Sequence, residues 1–216
     1  SKAIELNSSS EKPFYNRGIA KSALEDHEGA IEDYSKAIEI NPQCYLGLTE
    51  RGFARIKIKN YKGAIEDYSK AINIDKRESK NYYNRGLAKK ELDDFHGSID
   101  DFDISLNLNP SDVKSLNLRG EAKVALNKYE GAIADFSKVL EIDPSNIYAL
   151  GWRGRVKNKI FDYKGAIEDF SRALEINPQL FDAYRYRGDS KYFLKNYESA
   201  IGDYSKALEI NPQLFD

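Results

Sequence analysis

The chain has 216 residues, with 33 basic against 35 acidic side chains for a formal charge of −2, and it is 41% hydrophobic and 12% aromatic. That is apolar material enough for a buried core, no apolar run approaches the ~18 residues of a membrane helix, and a near-balanced charge gives no long-range pull toward nucleic acid or anionic membrane. Cys44 stands alone, which excludes an internal disulfide and a thiolate metal cluster, and together with the lack of a signal or transmembrane segment it favours a cytoplasmic location.

Six Arg-Gly dipeptides recur every 34 residues, from Arg17-Gly18 through Arg51-Gly52, Arg85-Gly86, Arg119-Gly120 and Arg153-Gly154 to Arg187-Gly188. The period divides the chain into a remnant at 1–10, repeats at 11–44, 45–78, 79–112, 113–146, 147–180 and 181–214, and the start of a truncated repeat at 215–216. Ser1–Asn7 (SKAIELN) align with the second half of a helix B whose helix A is absent, so residues 2–6 are expected to be helical and to cover the first helix A. The sequence contains no Met and its last six residues copy 177–182, so it reads as a segment of a longer array.

Each repeat predicts a helix A, a short polar turn and a helix B. Helix A carries apolar residues at positions 4 and 14, as in Phe14/Leu24, Leu48/Ile58 and Tyr82/Leu92. The turn ends in Asp26, Asn60, Asp94, Lys128, Asp162 or Asn196, a helix N-cap type in all but Lys128. Helix B shows helical apolar spacing (Ala30, Ile31, Tyr34, Ala37, Ile38) and is expected to stop before Pro42, Pro110, Pro144, Pro178 and Pro212; the second repeat has Lys76 there, which suggests a looser bend. Helices of about a dozen residues are marginal alone, so stacking is required. Glycine inside helix A costs roughly 1 kcal/mol against alanine; close helix approach, with Gly18 facing Ala30 and its counterparts Ala64, Ser98, Ala132, Ala166 and Ala200, is the expected compensation.

These residues carry a resemblance. Thirty-four residues with an aromatic or Leu at position 4, Gly at 8, Ala at 20, Tyr or Phe at 24, Ala at 27 and Pro at 32 resemble the tetratricopeptide repeat over residues 11–214. The resemblance implies an all-α fold, a right-handed superhelical solenoid of antiparallel helix pairs, with helix A lining a concave groove. The chain departs from the family in holding Arg at position 7 and Lys or Arg at 11, opposite an invariant Asp at 23. The expected pairs are Arg17–Asp33, Arg51–Asp67, Arg85–Asp101, Arg119–Asp135, Arg153–Asp169 and Arg187–Asp203, a structural ion-pair ladder favoured over a basic ladder for an acidic ligand, because an unpaired buried charge is costly.

No catalytic group and no cofactor or metal site is expected. His27 and His96 lie in turns of different repeats, no phosphate-cradling loop follows a strand, and the carboxylates repeat with the period. The groove positions implied by the resemblance place Tyr15, Ile19, Phe53, Tyr83, Asn84 and Leu87 in an apolar half, with Leu46 and Ile56. They place Glu121, Tyr148, Trp152, Arg155, Tyr186 and Asp189 in a mixed-charge aromatic half, with Trp152 the strongest single contact. Glu50, Glu121 and Asp189 argue against RNA. A clamp for a terminal carboxylate finds only Asn84 and Lys114 among Thr49, Phe53, Asn84, Lys114 and Leu118. The expected role is a non-catalytic scaffold that binds a peptide of an unidentified partner. The alternatives are self-association into a homo-oligomer through a terminal face around Tyr204, Ala207 and Leu208, or a regulatory arm of a larger protein. In the third repeat Ile104 replaces Lys or Arg, with Ser98 and Ser105 for larger neighbours; repacking there is favoured over an exposed contact.

Overall fold

The computed structural model describes residues 10–212; the helix expected over 2–6 and the repeat start at 215–216 lie outside them. Among the described residues every regular element is helical. The helices are α1 (Lys12–Ala23), α2 (His27–Ile40), α3 (Tyr45–Lys57), α4 (Tyr61–Ile74), α5 (Ser79–Lys90) and α6 (Phe95–Leu108), then α7 (Val113–Ala125), α8 (Tyr129–Ile142), α9 (Ile147–Lys159), α10 (Tyr163–Ile176), α11 (Phe181–Phe193) and α12 (Tyr197–Ile210). The chain divides into two compact units, residues 1–110 with α1–α6 and residues 111–216 with α7–α12. Within each unit every helix packs on its neighbours in sequence, and each helix A also meets the next, as α1 with α3 and α9 with α11.

Helix B ends at the same place in every repeat, at Ile40, Ile74, Leu108, Ile142, Ile176 and Ile210. The bend expected to be looser after α4 is not. Asp75 is extended like its pre-proline counterparts, and its carboxylate accepts the Arg77 N–H at 2.9 Å, as Asn41 accepts from Gln43. The side chain at this position holds the turn by its own hydrogen bond, so proline is dispensable.

Four of the five expected caps form. Asp26, Asn60, Asp94 and Asp162 accept from the N–H of Gly29, Gly63, Gly97 and Gly165, whereas Asn196 makes no cap. The position-14 apolar residues are not part of the buried stripe. They fall at or just beyond the end of helix A, and Leu24, Ile58, Leu92 and Leu194 are exposed.

Between helices A and B one residue per repeat is left-handed, and none is glycine: Glu25, Lys59, Asp93, Asn127, Phe161 and Lys195 have φ between 56° and 64°. Backbone bonds such as Asn60 N–H to Arg55 O at 2.8 Å and Lys59 N–H to Ile56 O at 2.9 Å close a Schellman end. A side chain in this conformation costs roughly 1–2 kcal/mol, partly offset by the freedom glycine would add to the unfolded chain. Lys59→Gly should therefore stabilise the first unit by about 0.5–1 kcal/mol; urea melts of variant and parent, followed by circular dichroism, check the sign.

The core of each of the first five repeats is the aromatic ring at position 24, while Tyr204 of the sixth is half-buried. Tyr34, Tyr68, Phe102, Phe136 and Phe170 are 0–1% exposed; Tyr34 packs with Ala30 and Ala54, Tyr68 with Ala64 and Ala88, and Phe170 with Ala166 and Ala183. These rings, not the alanines, face the helix-A glycines. A Cβ on Gly18 would stand 2.6 Å from Tyr34 Cε1, and one on Gly154 would stand 2.8 Å from Phe170 Cζ. Glycine is needed because a flat ring lies directly on the helix backbone.

Beside each ring the Asp at position 23 is buried and held by two cations of the same repeat. The Arg Nη2 to Asp Oδ1 distance is 2.5–2.7 Å in all six repeats. Lys21, Arg55, Lys89, Lys123, Lys157 and Lys191 reach the second oxygen at 2.7–3.1 Å. Burial pushes the Asp33 carboxyl up, but the hydrogen bonds from Arg17 and Lys21 outweigh it and hold its pKa below the ordinary carboxylate value. Arginine also ties repeats together: Arg51, Arg85, Arg153 and Arg187 donate to the hydroxyls of Ser35, Ser69, Ser137 and Ser171 on the preceding helix B at 2.9–3.1 Å.

The irregular third repeat repacks with small polar groups. Ser98 and Ser105 are 0% and 1% exposed, with hydroxyls donating to Phe95 O and Ser79 O, while Ile104 remains 38% exposed. Of the face expected on α12, Leu208 is exposed but Ala207 is buried and Tyr204 half-buried; Tyr197 and Ile201 are the other exposed apolar residues of that helix.

Candidate functional site

Residues spaced by three and four on one helix A share a face, and in each unit that face opens a cavity against the next helix A. In the first unit Leu46, Thr49, Glu50 and Phe53 project from successive turns of α3 toward Asn81 and Asn84 of α5. Tyr68 of α4 forms the floor and Glu78 and Lys80 stand at the rim of a cavity of about 250 Å³. Asn81 donates to Tyr45 Oη at 2.9 Å. Burial, and after it the Glu50 charge, raises the pKa of Tyr15, Tyr34 and Tyr68, with Tyr34 pushed to about 12.

Of the groove residues expected in this unit, Leu46, Phe53 and Asn84 meet in the cavity. Tyr15 and Tyr83 turn instead onto the B-helix rings of their own repeats, Tyr34 at 6.0 Å and Phe102 at 6.3 Å. Ile19 is exposed and Leu87 half-buried.

In the second unit Tyr148, Gly151, Trp152 and Arg155 of α9 face Asp182, Ala183 and Tyr186 of α11 across a largely apolar cavity of about 240 Å³, floored by Phe170 and Ala173 of α10. Trp152 stacks on Phe136 at 6.1 Å and 12°, and Tyr186 on Phe170 at 5.8 Å and 18°. The Arg155 guanidinium lies 4.4 Å from the Trp152 ring centre and 5.2 Å from that of Tyr186, within cation–π range. Among the described residues Arg155 pairs with no carboxylate, whereas Arg185, 3.9 Å over Tyr186, is bound to Asp182 at 3.0 Å.

Arg155 and Tyr186 also line a second opening of about 550 Å³ with Asp189, Phe161, Tyr163 and Phe193. Asp189 accepts from Tyr204 Oη at 2.8 Å, and Glu121 accepts from Tyr148 Oη. Burial first, and then the bonded carboxylate, raises both phenol pKa values. The groove positions projected from the sequence do not include Tyr68, Phe161, Phe170 or Phe193: two are B-helix core rings, and Phe161 belongs to the left-handed turn. Among the described residues no group of histidine, cysteine or carboxylates could hold a metal ion, and no helix is long and apolar enough to cross a membrane.

A chain of paired antiparallel helices at a fixed period, each pair closed by a ring against a glycine, defines a helical-repeat protein. The particular kind follows from family comparison. Models described as tetratricopeptide repeat match residues 12–44, 48–78, 113–146, 147–180 and 181–214, and the chain belongs to that family. The unmatched span between them, 79–112, is the repeat with Ile104, Ser98 and Ser105. No curated protein matches the sequence. Among solved structures the chain is similar to YrrB, described as a TPR protein with an unusual peptide-binding site, at 22% identity over 84% of this chain and 94% of that one, TM-score 0.76. It is similar to a tetratricopeptide repeat protein from Parabacteroides merdae at 21% identity over 92% and 79%, TM-score 0.79. It is also similar to pilF of Pseudomonas aeruginosa at 16% identity over 94% and 92%, TM-score 0.74. At these identities the likeness is one of fold.

Proposed function

We propose that the chain is a non-catalytic interaction module that holds a peptide of a partner protein on its helix-A faces, with the cavity beside Trp152 as the anchor. The observation that carries this reading is the open cavity in which Tyr148, Trp152 and Tyr186 offer ring surface while Arg155 lies across two rings without a carboxylate of its own. Such a pocket takes an apolar or aromatic side chain and leaves Arg155 for a peptide carbonyl or carboxylate. Tryptophan, tyrosine and arginine in a preformed pocket are the residue types that dominate binding energy. The peptide bound by YrrB, by that protein's own description, supports the same use of the fold.

Peptides selected on the whole protein from a display library should lose about 30-fold in affinity on Trp152→Ala, the ~2 kcal/mol expected of a hot-spot residue. Calorimetry on the parent and the variant, both shown by circular dichroism to be folded, reads it. Selected peptides that bind the variant as tightly as the parent would overturn the reading. A second reading, self-association, is favoured by the exposed Tyr197, Ile201 and Leu208 of α12; a mass that rises with protein concentration in sedimentation separates it from the first.

A further inference from the structure

We propose that the cavity between α3 and α5 is a subsite for a basic side chain of a bound peptide, with Glu50 as the counter-ion and Tyr68 Oη and the Asn84 amide as neutral acceptors. The inference rests on the peptide-binding reading only in supposing that the cation arrives on a peptide.

Four features of the cavity point to a cation. Glu50 is half-buried and, among the described residues, has neither a cation nor a hydrogen-bond donor, although every position-23 carboxylate beneath the helices has two cations. The cations closest to it in sequence are already engaged, since Arg51 and Arg55 both bind Asp67. Tyr68 is 0% exposed and its hydroxyl has no partner, and Asn84, 7% exposed, has none for its amide among the described residues. A buried polar group without a partner is costly, and groups left so in a folded protein call for an explanation. Asn81, the other amide in the cavity, spends an N–H on Tyr45 Oη.

The remaining walls fit the stem of such a side chain. Leu46 and Phe53 are 53% and 38% exposed and offer apolar surface to methylenes, as lysine and arginine stems require. At the rim Glu78 adds a second carboxylate against the single Lys80. An anion would meet two carboxylates. A neutral apolar side chain would cover Glu50, Tyr68 and Asn84 without satisfying any of them, which a site built of such groups rejects strongly. Glu50 and Tyr68 line the same cavity, and the Glu50 charge follows burial as a cause of the raised phenol pKa values of Tyr15, Tyr34 and Tyr68. The Trp152 cavity has the opposite character, being apolar with a free arginine, so the two units would select different side chains.

The test uses the whole 15N-labelled chain and small probes in place of an unknown peptide. At constant ionic strength and pH 7, n-butylammonium and n-propylguanidinium should each produce saturable NMR shifts at the Asn84 side-chain amide and the Glu50 backbone amide. The tighter of the two tells lysine from arginine. Glu50→Gln should remove the saturable response, and Tyr68→Phe should weaken it several-fold; phenylalanine already fills this position in three other repeats, so that variant is expected to fold. The proposal fails if n-butanol or acetate shifts these signals as strongly as the cations, or if the response survives Glu50→Gln. Trp152→Ala should leave the cation titration unchanged. Loss of the Trp152 effect on peptides with the cation response intact would refute the anchor reading alone, and the converse would refute the cation subsite alone.

Discussion

Asp169→Ala is expected to destabilise the second unit by about 3–5 kcal/mol, the cost of breaking a buried ion pair by removing one partner. The Asp169 side chain is 2% exposed, receives Arg153 Nε at 2.9 Å and Nη2 at 2.6 Å, and meets Lys157 Nζ at 2.8 Å. Its removal leaves two cations facing each other over a void. It also unseats the Arg153 bond to Ser137, the link between α9 and the preceding helix B. Asp169→Asn keeps the shape and one acceptor, so its cost should be smaller. Replacing Arg153, Lys157 and Asp169 together by Leu, Met and Leu should recover most of the loss, because the desolvation cost of the charges disappears with them. Urea titration of the three variants gives the ranking. A loss below 1 kcal/mol for Asp169→Ala, with selected peptides no longer binding, would show that the cations serve ligands and not the fold.

Period, helix order and family were all legible in the sequence, because residue types that recur at a fixed spacing show without knowing what each side chain meets. Arg-Gly marks the register, and an Asx or Asn-Pro step ends helix B whatever lies around it. What was not legible depends on which side chain stands opposite. Spacing placed glycine on the inner side of helix A but could not tell Ala30 from Tyr34 as its neighbour, and the ring won because it reaches across the gap. The left-handed turn was hidden because Glu25, Lys59 and Phe161 occupy a position where glycine would have signalled it. Asn196 is of a capping type and makes no cap. The same limit applies to the candidate sites. Tyr148, Trp152, Arg155 and Tyr186 share a cavity because helical spacing already aligned them, whereas Tyr15 and Tyr83 carried the same spacing and turned inward. That Tyr68 and Asn84 lack partners is a property of three helices together, and no single segment carries it.

The ring-on-glycine contact leads to the second large effect. In an ordinary helix Gly→Ala gains up to about 1 kcal/mol, and Gly202→Ala should do so, since nothing lies within 4 Å of a Cβ built there. Gly154→Ala should have the opposite sign. Its Cβ would sit 2.8–3.1 Å from three carbons of the Phe170 ring, which is 1% exposed and stacked on Tyr186, so the ring cannot step aside without displacing the floor of the Trp152 cavity. Overpacking of this kind costs typically 1–3 kcal/mol, enough to outweigh the propensity gain. Denaturant midpoints of the two alanine variants should therefore move in opposite directions, and Phe170→Leu added to Gly154→Ala should restore part of the loss by freeing the space. Because Phe170 floors the cavity, Gly154→Ala should also weaken any peptide anchored at Trp152, while Gly202→Ala should not. A Gly154→Ala protein as stable as its parent would mean that helix α9 can move off the ring, and the glycine would then owe its place to something other than this contact.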